Sequence, residues 1–395
     1  MKTDQKMILP DEAADIIGGY GKKSEIEEVR LSDSLGRILA EDIYSEIDMP
    51  PFDKSAMDGF AVFSGDNSKR YKIVETIPAG KFPKRSVGKG ECSRIMTGAP
   101  IPSGTDRVIK VEVTGEDDGY MYLNGEDSNN NICLMGEDIK KGDKILVSGT
   151  LMRAPEIGAA ASLGLGKLQV YKRVKTGIIT TGSEIVEPGG SLLSGHIFNS
   201  NGYSLSAQLA DACGEVSEMK IVPDERGLLK DSLGKMIETF DLTIISGGVS
   251  MGNYDFVPDI LEELGVTIHF NKVAIQPGKP TLFGTKNDKV IFGLPGNPVS
   301  TFVVFEILVK PLVMRMGGNI YSPLFIRGKL NGRFMRRKKE RDLYIPVFYD
   351  KGEVNLIEYH GSAHFVSLSK ANGLMKIGRG VSEIPQGEIV NVRQI

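Results

Sequence analysis

Six acidic side chains stand in turn-like surroundings. They are Asp53 and Asp58 in "PFDKSAMDGFA", Asp138 in "GEDIKKGD", Glu184 in "TTGSE", Asp224 in "VPDERG" and Asp255 in "GNYDF". Taken singly, each reads most simply as a turn closer or helix cap, because aspartate accepts hydrogen bonds from nearby backbone N–H groups. Three glycine-bearing turns change the balance: "TTGSE" (Thr180–Glu184), "SGGVSMG" (Ser246–Gly252) and "GLPGNP" (Gly293–Pro298) each close a short apolar run. Glycine lets backbone approach a ligand closely, and unpaired N–H groups at a helix start favour an anion. Carboxylates repel an anion. Where the two meet, Mg²⁺ held partly by carboxylate and partly by phosphate resolves the conflict. Lys272 in "FNKVAIQ" and Lys279 in "PGKPT" offer the opposite sign as point charges. For Lys272 an ordinary surface role is the simpler reading; for Lys279, between two prolines, the two readings balance.

Such residues need elements to hold them. Over the first 45 or so residues, "DEAADIIGGY" and "SEIEEVRLSDSLGRIL" carry apolar positions at helix-like spacing. Pro50 and Pro51 then break the pattern, and short strands between turn residues run to about Val147. "LMRAPEIGAAASLGLG" predicts a closely packed helix stopped by Gly164. From about Val174, apolar runs alternate with helix candidates up to "NPVSTFVVFEILVKPLVMRMGG", a pattern that argues a mostly parallel sheet covered on both faces. After Gly318 the chain turns strand-rich.

Bulk properties exclude several classes. Forty-eight basic against 51 acidic residues give a net charge of -3, so no global field draws the chain to nucleic acid or acidic membranes. "STFVVFEILVKPLVM" is interrupted by Glu306, Lys310 and Pro311 and cannot span a bilayer. "MKTDQKMILPDEAADII" lacks the apolar stretch of a secretory signal. Cys92, Cys133 and Cys213 are too scattered for a disulfide framework or zinc site, which points to a reducing, cytoplasmic setting. "IQPGKPT" matches a Walker loop only at Gly278-Lys279, and "LGLGKL" lacks the third glycine of a dinucleotide fingerprint. "RRKKER" (Arg336–Arg341) reads as a solvated hairpin tip, and His360 and His364 in "HGSAH" as turn residues rather than zinc ligands.

Eight segments carry the reading further. In chain order they are "MPPFDKSAMDGFAV", "IMTGAPIPSGTD", "GEDIKKGD", "TTGSEIVEPG", "FNSNGYSLSAQL", "SGGVSMGNYDF", "QPGKPTLFG" and "GLPGNPVS". Together they closely resemble the molybdopterin molybdenumtransferase (MoeA) family, which includes the gephyrin E domain. The resemblance spans nearly the whole chain. It implies an α/β multidomain fold: a three-layer α/β molybdopterin-binding domain over 175–320, a β-rich insertion over 46–146, a helical linking and dimerisation domain over 1–45 plus 147–174, and a C-terminal β domain over 321–395.

The activity it implies is insertion of molybdenum from molybdate into adenylylated molybdopterin, with release of AMP and dependence on Mg²⁺. Asp58, Thr97, Glu184, Asp224, Asp255, Lys272 and Lys279 take catalytic positions, with Asp138 as a further contributor. Asp58, Glu184, Asp224 and Asp255 are the metal candidates. Thr181, Gly182, Ser183, Asn201, Ser246, Gly247, Gly248, Ser250, Pro295, Gly296, Asn297 and Pro298 hold the pterin and its phosphate. A cytoplasmic homodimer is implied, with molybdopterin adenylyltransferase and molybdoenzyme acceptors as partners and neither nucleic acid nor membrane. The sequence departs from some members at Gln276, where they have lysine, and at Leu134 and Met135, where they have arginines. Three other readings stand beside this one: a scaffold without turnover, a tungstate-preferring homologue, and an adenylyltransferase that consumes ATP. Retention of all the acidic positions argues against the first. The long insertion and the β tail argue against the last.

Overall fold

The computed structural model describes residues 7–249, 256–357 and 365–395. The chain forms two compact units, one from Met1–Glu41, Ser148–Ile157 and Gly166–Ile395, the other from Asp42–Val147 and Gly158–Leu165.

The larger unit is organised by a six-stranded sheet: β1 (Val174–Thr181), β2 (Gly214–Val222), β3 (Leu242–Ser246), β4 (Thr267–Phe270), β5 (Leu282–Lys286) and β6 (Lys289–Leu294), in the order 2-1-3-6-5-4. Strands 2-1-3-6 are parallel, and β5 and β4 continue the sheet antiparallel. Successive strand residues point to opposite faces, so a strand covered on both sides must be apolar throughout. β1, β3 and β6 approach this in their middles, with polar residues toward their ends. Ile178, Ile244 and Phe292 join one core, while Ile179, Ile245 and Ile291 join another on the opposite face. The first is roofed by helix α1 (Ser200–Asp211) through Leu205 and Leu209, and by helix α4 (Pro298–Val304). The second is roofed by α2 (Arg226–Thr239) and α3 (Val257–Glu263), whose Leu229, Leu233, Ile260 and Leu261 recur at helical spacing.

After α4 the helical path widens into a π-type turn over Phe305–Val309 before Lys310–Met316 resumes it. Glu306 is buried there. Its carboxylate accepts from Gln208 of α1 at 2.9 Å and lies 3.4 Å from Lys310 Nζ, while its carbonyl accepts from Arg393 of the last strand. Burial opposes charge on Lys310, but Glu306 and Asp211 outweigh it and raise its pKa.

In the C-terminal region Phe325–Asn331, Asp342–Asp350, Glu353–Leu356, Gly373–Ile377 and Ile389–Gln394 pair in a ring that closes on itself. Here "RRKKER" departs from the expected hairpin tip. Phe334–Met335 pairs with Glu383–Ile384, and Arg336 and Arg341 donate to backbone carbonyls of Gly378 and Ile275. Two of its arginines therefore bind backbone instead of facing water.

A second departure lies near the start. Pro10–Gly18 is helical, but "SEIEEVR" contributes the strand Ile26–Arg30, paired antiparallel with Lys167–Tyr171. The expected helix at Ala154–Ser162 forms, and Gly164 ends it at φ 79°.

The smaller unit is built on a six-stranded sheet ordered Arg107–Lys110, Gly59–Val62, Glu91–Ile95, Arg70–Ile77, Tyr120–Leu123, Thr114–Asp117. Its two small cores centre on Phe60 with Met121 and on Ile77 with Ile95.

The packing of the larger sheet yields a first prediction. Phe292 is fully buried, with its ring centroid 5.0 Å from that of Phe283. Phe292→Ala is expected to cost about 3–5 kcal/mol through lost contacts and a residual cavity, read as a lowered urea midpoint.

Candidate functional site

Strand order fixes where a ligand can sit. From β1 the chain runs to β2 on one side, and from β3 it runs toward β4 on the other, so the loops leaving these two paired strands diverge and leave a crevice above their carboxyl ends. A cleft of about 670 Å³ opens there, lined by the ends of β1, β3 and β6 and the start of α1. That volume suits a small organic molecule.

The floor of the cleft is backbone. Gly247 and Gly248 follow β3 with φ of 99° and 64°, a region open to glycine at little cost. A Cβ on Gly247 would stand 2.7 Å from the carbonyl oxygen and 2.9 Å from the hydroxyl of Thr181. The turn is pressed against the end of β1, and no side chain can intervene. Gly182 is similarly confined, since a Cβ there would stand 2.7 Å from the Glu184 carboxylate.

One buried amide ties two of the strand ends together. Asn201, in the first turn of α1, donates to Ser246 Oγ at 2.8 Å and to the Gly296 carbonyl at 2.7 Å. Asn199 caps the same helix by accepting from Gly202 N at 3.0 Å, and Thr301 of α4 donates to the Pro295 carbonyl. Several polar atoms are left over. Thr180 Oγ1, Thr181 Oγ1 and Asn201 Oδ1 are buried without a hydrogen-bond partner among the described residues. Such atoms are costly unless a ligand or water meets them.

The cleft brings together Thr181, Glu184, Asn201, Asp224, Ser246, Gly247, Gly248, Pro295, Gly296, Asn297 and Pro298 of the residues singled out in the sequence. Gly182 and Ser183 lie between two of them, and the Ser183 hydroxyl accepts from Asp224 N at 3.4 Å. Lys272 and Lys279 are not among the lining residues, although Pro280 is. Lys279 is exposed. Ser250, Asp255, His360 and His364 lie outside the described residues. Sequence reasoning passed over Ile197, Phe198 and Phe365, which also line the cleft. Phe198 opens the motif "FNSNGYSLSAQL", whose polar residues drew the reading, while Ile197 and Phe365 stand outside every motif.

Glu184 and Asp224 are the acidic residues of the lining, and no lysine or arginine accompanies them among the described residues. Among those residues no three His, Cys, Asp or Glu side chains converge as a metal cage. Two carboxylates without a cage suit Mg²⁺, which takes one or two carboxylates and fills its shell with water and substrate phosphate.

In the smaller unit, Asp58 Oδ1 accepts from Thr97 N at 2.7 Å and from Thr97 Oγ1 at 2.8 Å. The Thr97 N–H, and after it the hydroxyl, hold the Asp58 carboxyl below its ordinary value. Asp53 Oδ1 accepts from Met135 N at 2.7 Å, 82 positions along the chain, and so joins two distant segments instead of closing a local turn. Asp138 donates its N–H to the Met49 carbonyl at 3.0 Å. Leu134 and Met135 are both more than half exposed and present apolar side chains to solvent. Cys92 is buried, which pushes its thiol up to about 12 and removes it from nucleophilic chemistry at neutral pH.

A curated relative from Haemophilus influenzae, named molybdopterin molybdenumtransferase, is 34% identical over 379 residues, 93% of this chain and 94% of its own length. The chain belongs to the MoeA family. Three family regions account for most of it: the MoeA N-terminal region (domain I and II) over 6–164, the probable molybdopterin binding domain over 177–315, and the MoeA C-terminal region (domain IV) over 327–395. A Bacillus subtilis relative of the same name is 36% identical over 318 residues, 78% of this chain and 74% of its own. The fold agrees with a solved structure described as the molybdopterin biosynthesis moeA protein of Pyrococcus horikoshii OT3, at a TM-score of 0.85 and 28% identity, covering 99% of this chain and 100% of that one. The MoeA multidomain architecture is thus common to this chain and its relatives.

The Asp58–Thr97 pair is open to a direct check. A depressed carboxylate contributes stability above its unfolded-state pKa and loses it as pH falls through the folded-state value. Thr97→Val removes the hydroxyl donor and keeps the N–H. The Asp58 pKa, followed by carboxyl-carbon NMR, is expected to lie below 3.8 in the parent and to move up toward 3.8 in the variant.

Proposed function

We propose that this chain is a molybdopterin molybdenumtransferase, which inserts molybdenum from molybdate into adenylylated molybdopterin and releases AMP. The single observation carrying the reading is the cleft at the β1/β3 crevice: a floor of side-chain-free backbone beside orphaned Thr181 and Asn201 oxygens. That is a mould for a phosphate-bearing ligand, because it offers close backbone approach and unmet polar atoms together. The names of the relatives supply the chemistry.

Two oxyanions must meet in this reaction: molybdate, a dianion, and the pyrophosphate of the adenylylated pterin. The phosphate end is read as lying over Gly247 and Gly248, with Ser246, Thr181, Ser183 and the Pro295–Pro298 turn around it. Asn201 positions the turns rather than the reacting atoms, since its amide is spent on Ser246 and Gly296. Glu184 and Asp224 fit Mg²⁺ shared with the phosphates, with Asp255 and Asp58 as metal candidates on their motifs. Bound there, the ion would supply positive charge against the charge developing on the departing AMP phosphate. Asp58, held ionised by Thr97, is assigned to polarising that leaving group. Lys272 and Lys279 are assigned to attracting molybdate. The two dithiolene sulfurs replace one molybdate oxygen, which leaves as water with the two thiol protons, and a water adds to the anhydride phosphorus as its P–O–P bond breaks, so that AMP leaves and the pterin keeps its monophosphate.

The same reading makes the protein a cytoplasmic homodimer that takes substrate from an adenylyltransferase and passes product to molybdoenzymes. It keeps the four-part division 1–45 with 147–174, 46–146, 175–320 and 321–395.

The deciding experiment incubates the protein with adenylylated molybdopterin, Mg²⁺ and either molybdate or tungstate, then quantifies AMP and metal in the product. Stoichiometric AMP and molybdenum-loaded pterin are expected with molybdate. Absence of both would remove the reading. Glu184→Gln and Asp224→Asn should each slow AMP release by roughly a hundredfold or more, the scale of losing one organised electrostatic contact. Asp58→Asn should retain fold and pterin binding yet abolish insertion; insertion at the parent rate would take Asp58 out of the mechanism.

A further inference from the structure

The cleft has a feature that phosphate binding leaves unused. Its lip carries two large apolar side chains, Ile197 and Phe198, 56% and 41% exposed. They belong to no core, and Phe198 has no aromatic neighbour among the described residues. Phe365 lines the same cleft but is packed against the core, so it already has a structural partner.

The backbone beneath Phe198 is fixed on both sides. Ile197–Phe198 forms a short parallel ladder with Ile185–Val186. Ile197 N donates to the Glu184 carbonyl at 2.9 Å, and Asn199 N donates to the Val186 carbonyl at 2.9 Å. Asn199 then caps α1. An aromatic ring thus stands half in water on backbone tied to Glu184 on one side and to the start of α1 on the other. Isolated exposed apolar residues are ordinary. This one is continuous with a cleft whose other end is polar backbone suited to phosphate.

We infer that Phe198, flanked by Ile197, is the stacking surface for the fused, planar ring system of the pterin substrate. The inference rests on the proposed function and adds to it a residue that sets ring specificity. The flat, uncharged pyrimidinone end of the fused ring system matches an aromatic face, and its offset or edge-to-face contact with phenylalanine is favourable. The division of labour follows from chemistry: the anionic end of the substrate meets N–H groups and the neutral end meets a ring. Phe198 is a positioning and specificity residue, since nothing in the reaction bonds to it.

The chain contains no tryptophan, which supplies an unusually clean test. Phe198→Trp places the sole indole at the lip. Phe348→Trp places one at a site of similar exposure, 45% in the parent, outside the cleft lining. Adenylylated molybdopterin is expected to quench emission saturably from position 198 and far less from 348, while inorganic phosphate quenches neither. Phe198→Ala should weaken binding of adenylylated molybdopterin by roughly tenfold, as for loss of one base-stacking aromatic. Phe198→Tyr should restore it, and competition by inorganic phosphate should be unchanged throughout.

Three results would overturn the inference. If the parent binds adenylylated molybdopterin but position 198 is not quenched and Phe198→Ala binds within twofold of the parent, the ring lies elsewhere and the phosphate site stands. If Phe198→Ala changes the sedimenting mass with affinity intact, a second copy of the chain covers this ring. If the parent does not bind adenylylated molybdopterin at all, the functional reading itself falls.

Discussion

The glycine turn after β3 has to lie flat against the end of β1, and much of the larger unit is arranged around that demand. A methyl group on Gly247 would collide with the Thr181 carbonyl. The Gly247 N–H is spent on the Leu294 carbonyl at 3.1 Å, which ties the turn to the end of β6 as well. Holding such a turn open to solvent requires support from beneath. Asn201 supplies it by bridging β3 to the turn after β6, and Thr301 supplies it from α4. These are buried polar contacts in a region of low dielectric, where a satisfied network is rigid and a broken one is costly.

Charge imposes the second constraint. Glu184 and Asp224 line the cleft without a basic neighbour in the lining among the described residues. A phosphate placed beside them gains from the backbone and loses to the carboxylates. A divalent ion between the two reverses the sign of that second contribution. The glycine turns and the acidic rim are thus complementary: the backbone favours a polyanionic ligand, and the carboxylates oppose it until a divalent ion stands between them.

The fold was largely legible where structure is local. Apolar runs punctuated by glycine gave β1, β3 and β6, and the strand-helix alternation gave the three layers. What failed was non-local. Ile26–Arg30 has helix-like apolar spacing, yet it pairs with Lys167–Tyr171, and ion pairs Glu28–Lys167 and Glu25–Lys172 bridge 139 and 147 positions along the chain. No window of a dozen residues contains that partner. The same holds for "RRKKER", whose Arg341 reaches a carbonyl 66 residues away. In the cleft, glycines and carboxylates announce themselves through motifs. Phe198 opens the motif "FNSNGYSLSAQL", but its place at the lip comes from the parallel ladder that displays it.

The ring of strands in the C-terminal region has a consequence for how that region meets other molecules. Asp342–Asp350 pairs with both Glu353–Leu356 and Gly373–Ile377, so the five-strand circuit has no terminal member. A sheet without rims offers little unpaired backbone for a foreign peptide to extend. Recruitment at this end of the chain must therefore be written in side chains and connecting loops, which can diverge freely while the ring beneath them stays intact.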